Sequence, residues 1–152
     1  MSHLGHERIL RIPNRLDPRR VPRAFLLVAA LCLVALPAYA GSYLNRAAVL
    51  VWHAEQDADY LRARINDREL ARVVHQVAEA RVRAASNMTV PKEVTQAHPH
   101  LLLLLENYER AAAAAADGQV QRFLVYQQRG RDETRTLQEV LKQLGWKLPE
   151  RK

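Results

Sequence analysis

Residues 99–116 read PHLLLLLENYERAAAAAA, and the fold turns on this stretch. Pro99 suits the first position of a helix, where its missing N–H is not needed. Five consecutive leucines, Leu101, Leu102, Leu103, Leu104 and Leu105, occupy every side of that helix, so a single antiparallel neighbour cannot cover them. Either this end stands in the middle of a bundle, or part of it is a surface that meets another protein or a second copy. The polar block from Glu106 to Arg110 excludes a membrane span here. The alanine run that follows offers a thin helix surface for close approach, as well as high helix propensity.

Toward the C-terminus, Asp117-Gly118 makes a turn into a last helix. Phe123, Tyr126, Gly130, Thr134, Leu137, Leu141 and Leu144 recur there at spacings of three and four, a coiled-coil-like seam. Gly130 in that seam either admits a close neighbour or loosens the helix by roughly 1 kcal/mol relative to alanine. Gly145 caps the end, Trp146 folds back on the last turn and Pro149 prevents continuation. With so short a link, the third and fourth helices form an antiparallel hairpin.

Toward the N-terminus, residues 87–98 form the longest connection, with a short helical turn within residues 91–96. Asn87-Met88-Thr89 matches a glycosylation sequon and is read as coincidence. Before it, Asn66 and Glu69 have capping-box spacing and open a second helix. Its apolar stripe is Leu70, Val73, Val74, Val77, Ala78, Ala84 and Ala85, interrupted by Arg81. The first helix covers residues 42–65, with Leu44, Ala47, Ala48, Val51, Trp52, Ala54, Ala58, Leu61 and Ile65 on one face, interrupted by Glu55 and Arg62. Unbroken continuation from 42 to 86 as one helix is the alternative.

Residues 24–40, AFLLVAALCLVALPAYA, are uncharged and apolar on every side. The leader, residues 1–23, carries Arg8, Arg11, Arg15, Arg19, Arg20 and Arg23 against Glu7 and Asp17, and is expected on the cytoplasmic side of a membrane. Ala38-Tyr39-Ala40 before Gly41 is the small-x-small pattern of a signal-peptidase junction, which would cut between Ala40 and Gly41. Uncleaved, the same run is a single-pass anchor at the short limit for a spanning helix, with the chain continuing as a stalk. The twin arginine Arg19-Arg20 is a poor export match, and Leu31 before Cys32 excludes a lipoprotein reading.

The charge follows this division. The whole chain carries +7, but residues 41–152 keep 17 basic and 14 acidic residues, a net +3. The basic character belongs largely to the leader, and a nucleic-acid partner loses its main support. The single cysteine lies in the apolar run, so residues 41–152 can form neither a disulfide nor a cysteine-based metal or redox site.

Few residues carry chemistry. His53 with Asp57, and His75 with Glu79, stand four apart and could seat a divalent metal, but helical phase puts them on polar faces, as exposed ion pairs. His98-Pro99-His100 could join Glu93 or Glu106 in a metal site; His98 as an N-cap and His100 as a surface residue is the better reading. No serine sits in a nucleophile elbow and no glycine loop cradles phosphate. We therefore expect no catalytic, cofactor or metal residue.

The expected architecture is all-α: an N-terminal signal or anchor helix, then residues 41–152 as an extracytoplasmic antiparallel bundle of three or four helices or a long helical hairpin. The expected location is the cell envelope, periplasmic or its equivalent, with membrane contact through residues 24–40 if uncleaved. The expected role is binding or structural, through helix association centred on Leu101–Leu105. The alternatives are a bundle that carries a metal or small apolar ligand, or a sensor module signalling through a partner.

Overall fold

The computed structural model describes the backbone of residues 23–150 and the side chains of residues 40–150. The chain divides into two units, Met1–Val34 and Ala35–Lys152, and packing is described for the second. Among the described residues the protein is all-helical, with four helices and no strand. They are α1 (Arg23–Ala63), α2 (Arg68–Ser86), α3 (His98–Ala116) and α4 (Val120–Gln143), with one 3-10 turn at Lys92–Val94 between α2 and α3. The leader reading lies outside the described residues, and the export-signal, anchor and cleavage readings rest on residues 24–40 and the Ala40–Gly41 junction, of which only Ala40 and Gly41 have described side chains. Among the described residues, no helix is long and apolar enough to cross a membrane.

The helices close a ring of neighbours. Arg81 of α2 reaches Asp57 of α1, His75 of α2 reaches Glu109 of α3, His100 of α3 reaches Glu133 of α4, and Arg131 of α4 reaches Asp59 of α1. Successive contacts run in opposite directions along paired helices. Asp59 meets Gln127 while Glu55 meets Thr134, and His100 meets Glu133 while Tyr108 lies against Gly130. This is an antiparallel four-helix bundle, the arrangement that short links between helices impose.

Local chemistry sets the helix ends. The chain leaves α1 in tight steps, Arg64 N–H to Leu61 carbonyl at 3.0 Å and Asp67 N–H to Arg64 carbonyl at 2.9 Å. Those steps deliver Asp67, not Asn66, to the N-cap of α2, where its Oδ1 accepts the Leu70 N–H at 3.0 Å. Glu69 pairs forward with Arg72 instead of closing a capping box with Asn66. At the ends of α3 and α4, Gly118 and Gly145 take φ of 73° and 81°. Gln119 N–H then bonds the Ala114 carbonyl, and Trp146 N–H the Leu141 carbonyl, each at 2.8 Å. Both are the six-to-one closure that left-handed glycine permits.

The core lies in two apolar clusters. One gathers Tyr43, Leu44, Ala47 and Val51 of α1 with Leu101, Leu104, Leu105 and Tyr108 of α3 and Leu137 and Leu141 of α4. Val94, Ala97, Met88, Val90, Trp146 and Leu148 pack on the same cluster. The connection and the C-terminal tail thus add cover around the leucine end, where Leu103 stays exposed. The other cluster holds Leu61, Ala71, Val74, Ala111, Ala112, Ala114, Ala115 and Phe123. There the alanines let helices approach closely.

The phase of α2 differs from the expected stripe. Ala71, Val74, Ala78 and Ala85 are buried, whereas Val73 and Val77 are 58% and 42% exposed. The sequence offers apolar residues at both 73/77 and 74/78, about 100° apart around the helix, and here only the second set faces inward. The set that includes the small Ala71, Ala78 and Ala85 does so. Arg81, placed on the same side, reaches inward to Asp57.

Candidate functional site

Between the two apolar clusters lies a polar layer. Gln127 and Thr134 of α4 are buried, and Gln127 Nε2 and Arg131 Nη2 share Asp59 Oδ1 at 3.1 and 2.5 Å. Glu55 faces the same layer, and burial raises its carboxyl above the usual range; the Thr134 hydroxyl pulls it back down, Asp59 opposes and Arg131 assists. Burial, and next the Glu55 charge, also push the Tyr108 phenol upward. The Tyr108 hydroxyl and Arg81 Nη1 are buried without a hydrogen-bond partner, and both residues line a void of about 10 Å³. Asp59, Gln127 and Arg131 hold each other, and the void beside Tyr108 and Arg81 is about the size of one water.

At one end of the bundle, Tyr43 Oη lies 3.0 Å from His98 Nδ1, with the rings edge to face. Burial pushes the tyrosine up to about 12 and the histidine below its usual value, so both favour their neutral forms. The two neutral groups share one hydrogen bond, whose direction follows the imidazole tautomer. His100 turns away to Glu133 Oε1 at 2.5 Å. The two histidines serve α1 and α4 separately and do not converge with Glu93 or Glu106; Ala97, not His98, occupies the N-cap of α3. His53 and Asp57 likewise part, His53 outward and Asp57 to Arg81.

His75 and Glu79 form the ion pair expected of them, but on a half-exposed side of α2. With the helix rotated as described, they flank α3, and Glu109 joins them. His75 Nε2 lies 2.7 Å from Glu109 Oε1 and 3.7 Å from Glu79 Oε1. The three ligand atoms fall within 4.8 Å of one another. Glu109 was invisible as a third member because nothing in the sequence fixes how α3 turns against α2.

Of the five leucines, Leu101, Leu104 and Leu105 are buried, Leu102 is half-buried and Leu103 is 43% exposed. Leu103 is therefore part of the exposed apolar surface, and more of it lies on α4, at Val120, Leu124 and Val125, and on α2. Val73, Val77, Ala80 and Ala84 follow one another on the outer side of α2 at helical spacing, all exposed. A groove of about 480 Å³ continues from Ala84, lined by Asn45, Arg46, Val49 and Leu50 of α1 and Asn87 and Met88 after α2. Val49 is itself exposed. Ala40 is buried and Gly41 is half-buried, at the start of the described side chains.

The class these features define is an all-α helical bundle. No protein-family model matches the chain, and no curated protein or solved structure matches it.

Proposed function

We propose that this is an exported or membrane-tethered binding module of the cell envelope, acting by association with a helix of another protein or of a second copy. The basic leader and the uncharged run at residues 24–40 support the location. The observation that carries the role is the outer side of α2, where Val73 and Val77 stand largely exposed and lead through Ala80 and Ala84 into the groove of Val49, Leu50 and Met88. An amphipathic helix laid along that side would bury branched apolar side chains that the bundle leaves in water. Arg46 at the rim favours a partner carrying a carboxylate.

The test is photo-crosslinking in the full chain, expressed in its own host, with the reactive residue at Val73 and, as control, at the exposed Glu139 on α4. Adducts at Val73 that vanish when Val77→Glu is added support the reading. A product of twice the chain mass identifies a second copy, and any other mass a different protein. Equal labelling at Val73 and Glu139, or no adduct at Val73, refutes it.

A further inference from the structure

We propose that His75, Glu79 and Glu109 form a binding site for a divalent transition-metal ion of the zinc class, clamping α2 to α3. The site rests on convergence from two helices. His75 and Glu79 stand one turn apart on α2, and Glu109 comes across from α3. A zinc ion with bonds of ~2.0–2.2 Å keeps tetrahedral donors roughly 3.4 Å apart. The observed 2.7 and 3.7 Å from His75 Nε2 straddle that separation, so small side-chain rotations admit the ion.

Charge points the same way. Two carboxylates face one imidazole, and among the described residues their other ion-pair partner is Arg83, 3.8 Å from Glu79 Oε2 and largely exposed. So exposed a pair offsets the two carboxylates only weakly. A cation accepted by neutral Nε2 and one oxygen from each carboxylate balances them. One nitrogen and two oxygens suit zinc or a neighbouring first-row ion better than magnesium or calcium, which take oxygen shells. Side-chain exposures of 28%, 45% and 24% leave at least one coordination position to water.

Its place in the fold gives the site a role. The connection between α2 and α3 is the longest among the described helices, so this pair is the least constrained by its link. A metal bridge partway along both helices adds a constraint to their packing and steadies α2, whose outer side carries the proposed association surface. The metal proposal does not depend on that surface.

The experiment is equilibrium dialysis of the untagged full chain against zinc chloride, with elemental analysis, and visible spectra of the cobalt-loaded protein. The expected result is about one zinc per chain and the intense d–d absorption of a low-coordinate cobalt site. His75→Ala and Glu109→Gln should each weaken binding by about tenfold or more. Glu109→Gln keeps the side-chain volume and its capacity to accept from His75, so it separates lost ligation from lost folding, with circular dichroism as the check. Zinc retained undiminished by both variants places the ion elsewhere, on His3, His6 or another histidine, and overturns the proposal. No zinc bound by the parent at micromolar concentration does so as well.

Discussion

Gly130→Ala tests the packing of the bundle most directly, because two opposing effects meet at one atom. Replacing glycine by alanine inside an exposed helix stabilises it by about 1 kcal/mol. At position 130 a Cβ would stand 2.9 Å from Cζ and 3.0 Å from both Cε atoms of Tyr108. Those contacts are far inside van der Waals separation, and the ring belongs to the main apolar cluster at 4% exposure, so it has little freedom to move aside. Overpacking of a tight core costs about 1–3 kcal/mol. With the ring confined on all sides we take the upper end of that range, and the net loss is about 2 kcal/mol, a fall in Tm of about 4–8 °C for a chain of this size. The assay is thermal unfolding of the full chain followed by circular dichroism, for Gly130→Ala alone and in a Tyr108→Leu background. In that background the ring is gone, and the alanine should be neutral or stabilising by up to about 1 kcal/mol. A rise in Tm for Gly130→Ala in the parent would refute the argument, since helix propensity alone would then govern the position.

Tyr108→Phe should leave stability unchanged or raise it by about 1 kcal/mol, because it removes a buried hydroxyl with no partner; a loss above about 1 kcal/mol on denaturant titration would show that the hydroxyl is satisfied. Asp67→Ala should cost about 1 kcal/mol by freeing the Leu70 N–H, with Asn66→Ala nearly silent, and the reverse ranking in thermal melts would restore the capping box at Asn66. Glu55→Gln should stabilise the protein at neutral pH. The folded-state carboxyl is raised by burial, so its favourable contribution is present below the usual carboxylate range and is lost as pH rises through the raised value. The difference between variant and parent should therefore shrink as pH falls, and a difference independent of pH would contradict that cause. His98→Gln acts with the opposite sign. The depressed imidazole stabilises the fold above its ordinary range and loses that contribution as pH falls, so the variant should flatten the acid limb of the stability profile.

Helix type and the limits of α3 and α4 were legible because Pro99, Asp117-Gly118 and Gly145 are punctuation that works within a few residues, by fixing φ or removing a donor, whereas the number stayed at three or four because no such mark separates α1 from α2. The seam of α4 was legible in large part: Phe123, Gly130, Thr134, Leu137 and Leu141 are buried as spaced, whereas Tyr126 and Leu144 are half-buried and Gln127 takes the inward place beside Tyr126. Rotation of a helix about its axis is another matter, since it is decided by what lies opposite. In α2, hydrophobicity alone favours Val73 with Val77 as the inward pair over Val74 with Ala78. The balance fell to the second because Ala71, Ala78 and Ala85 allow α1 close, and because Arg81 on that side finds Asp57. That rotation carries His75 and Glu79 from the far side of α2 to its junction with α3, where Glu109 waits, and turns Val73 and Val77 out to water. The proposed metal site and the proposed association surface therefore follow from one rotation of α2. A sequence reading that phases the helix by its largest apolar residues hides both, because it buries the valines and leaves the histidine with a single carboxylate.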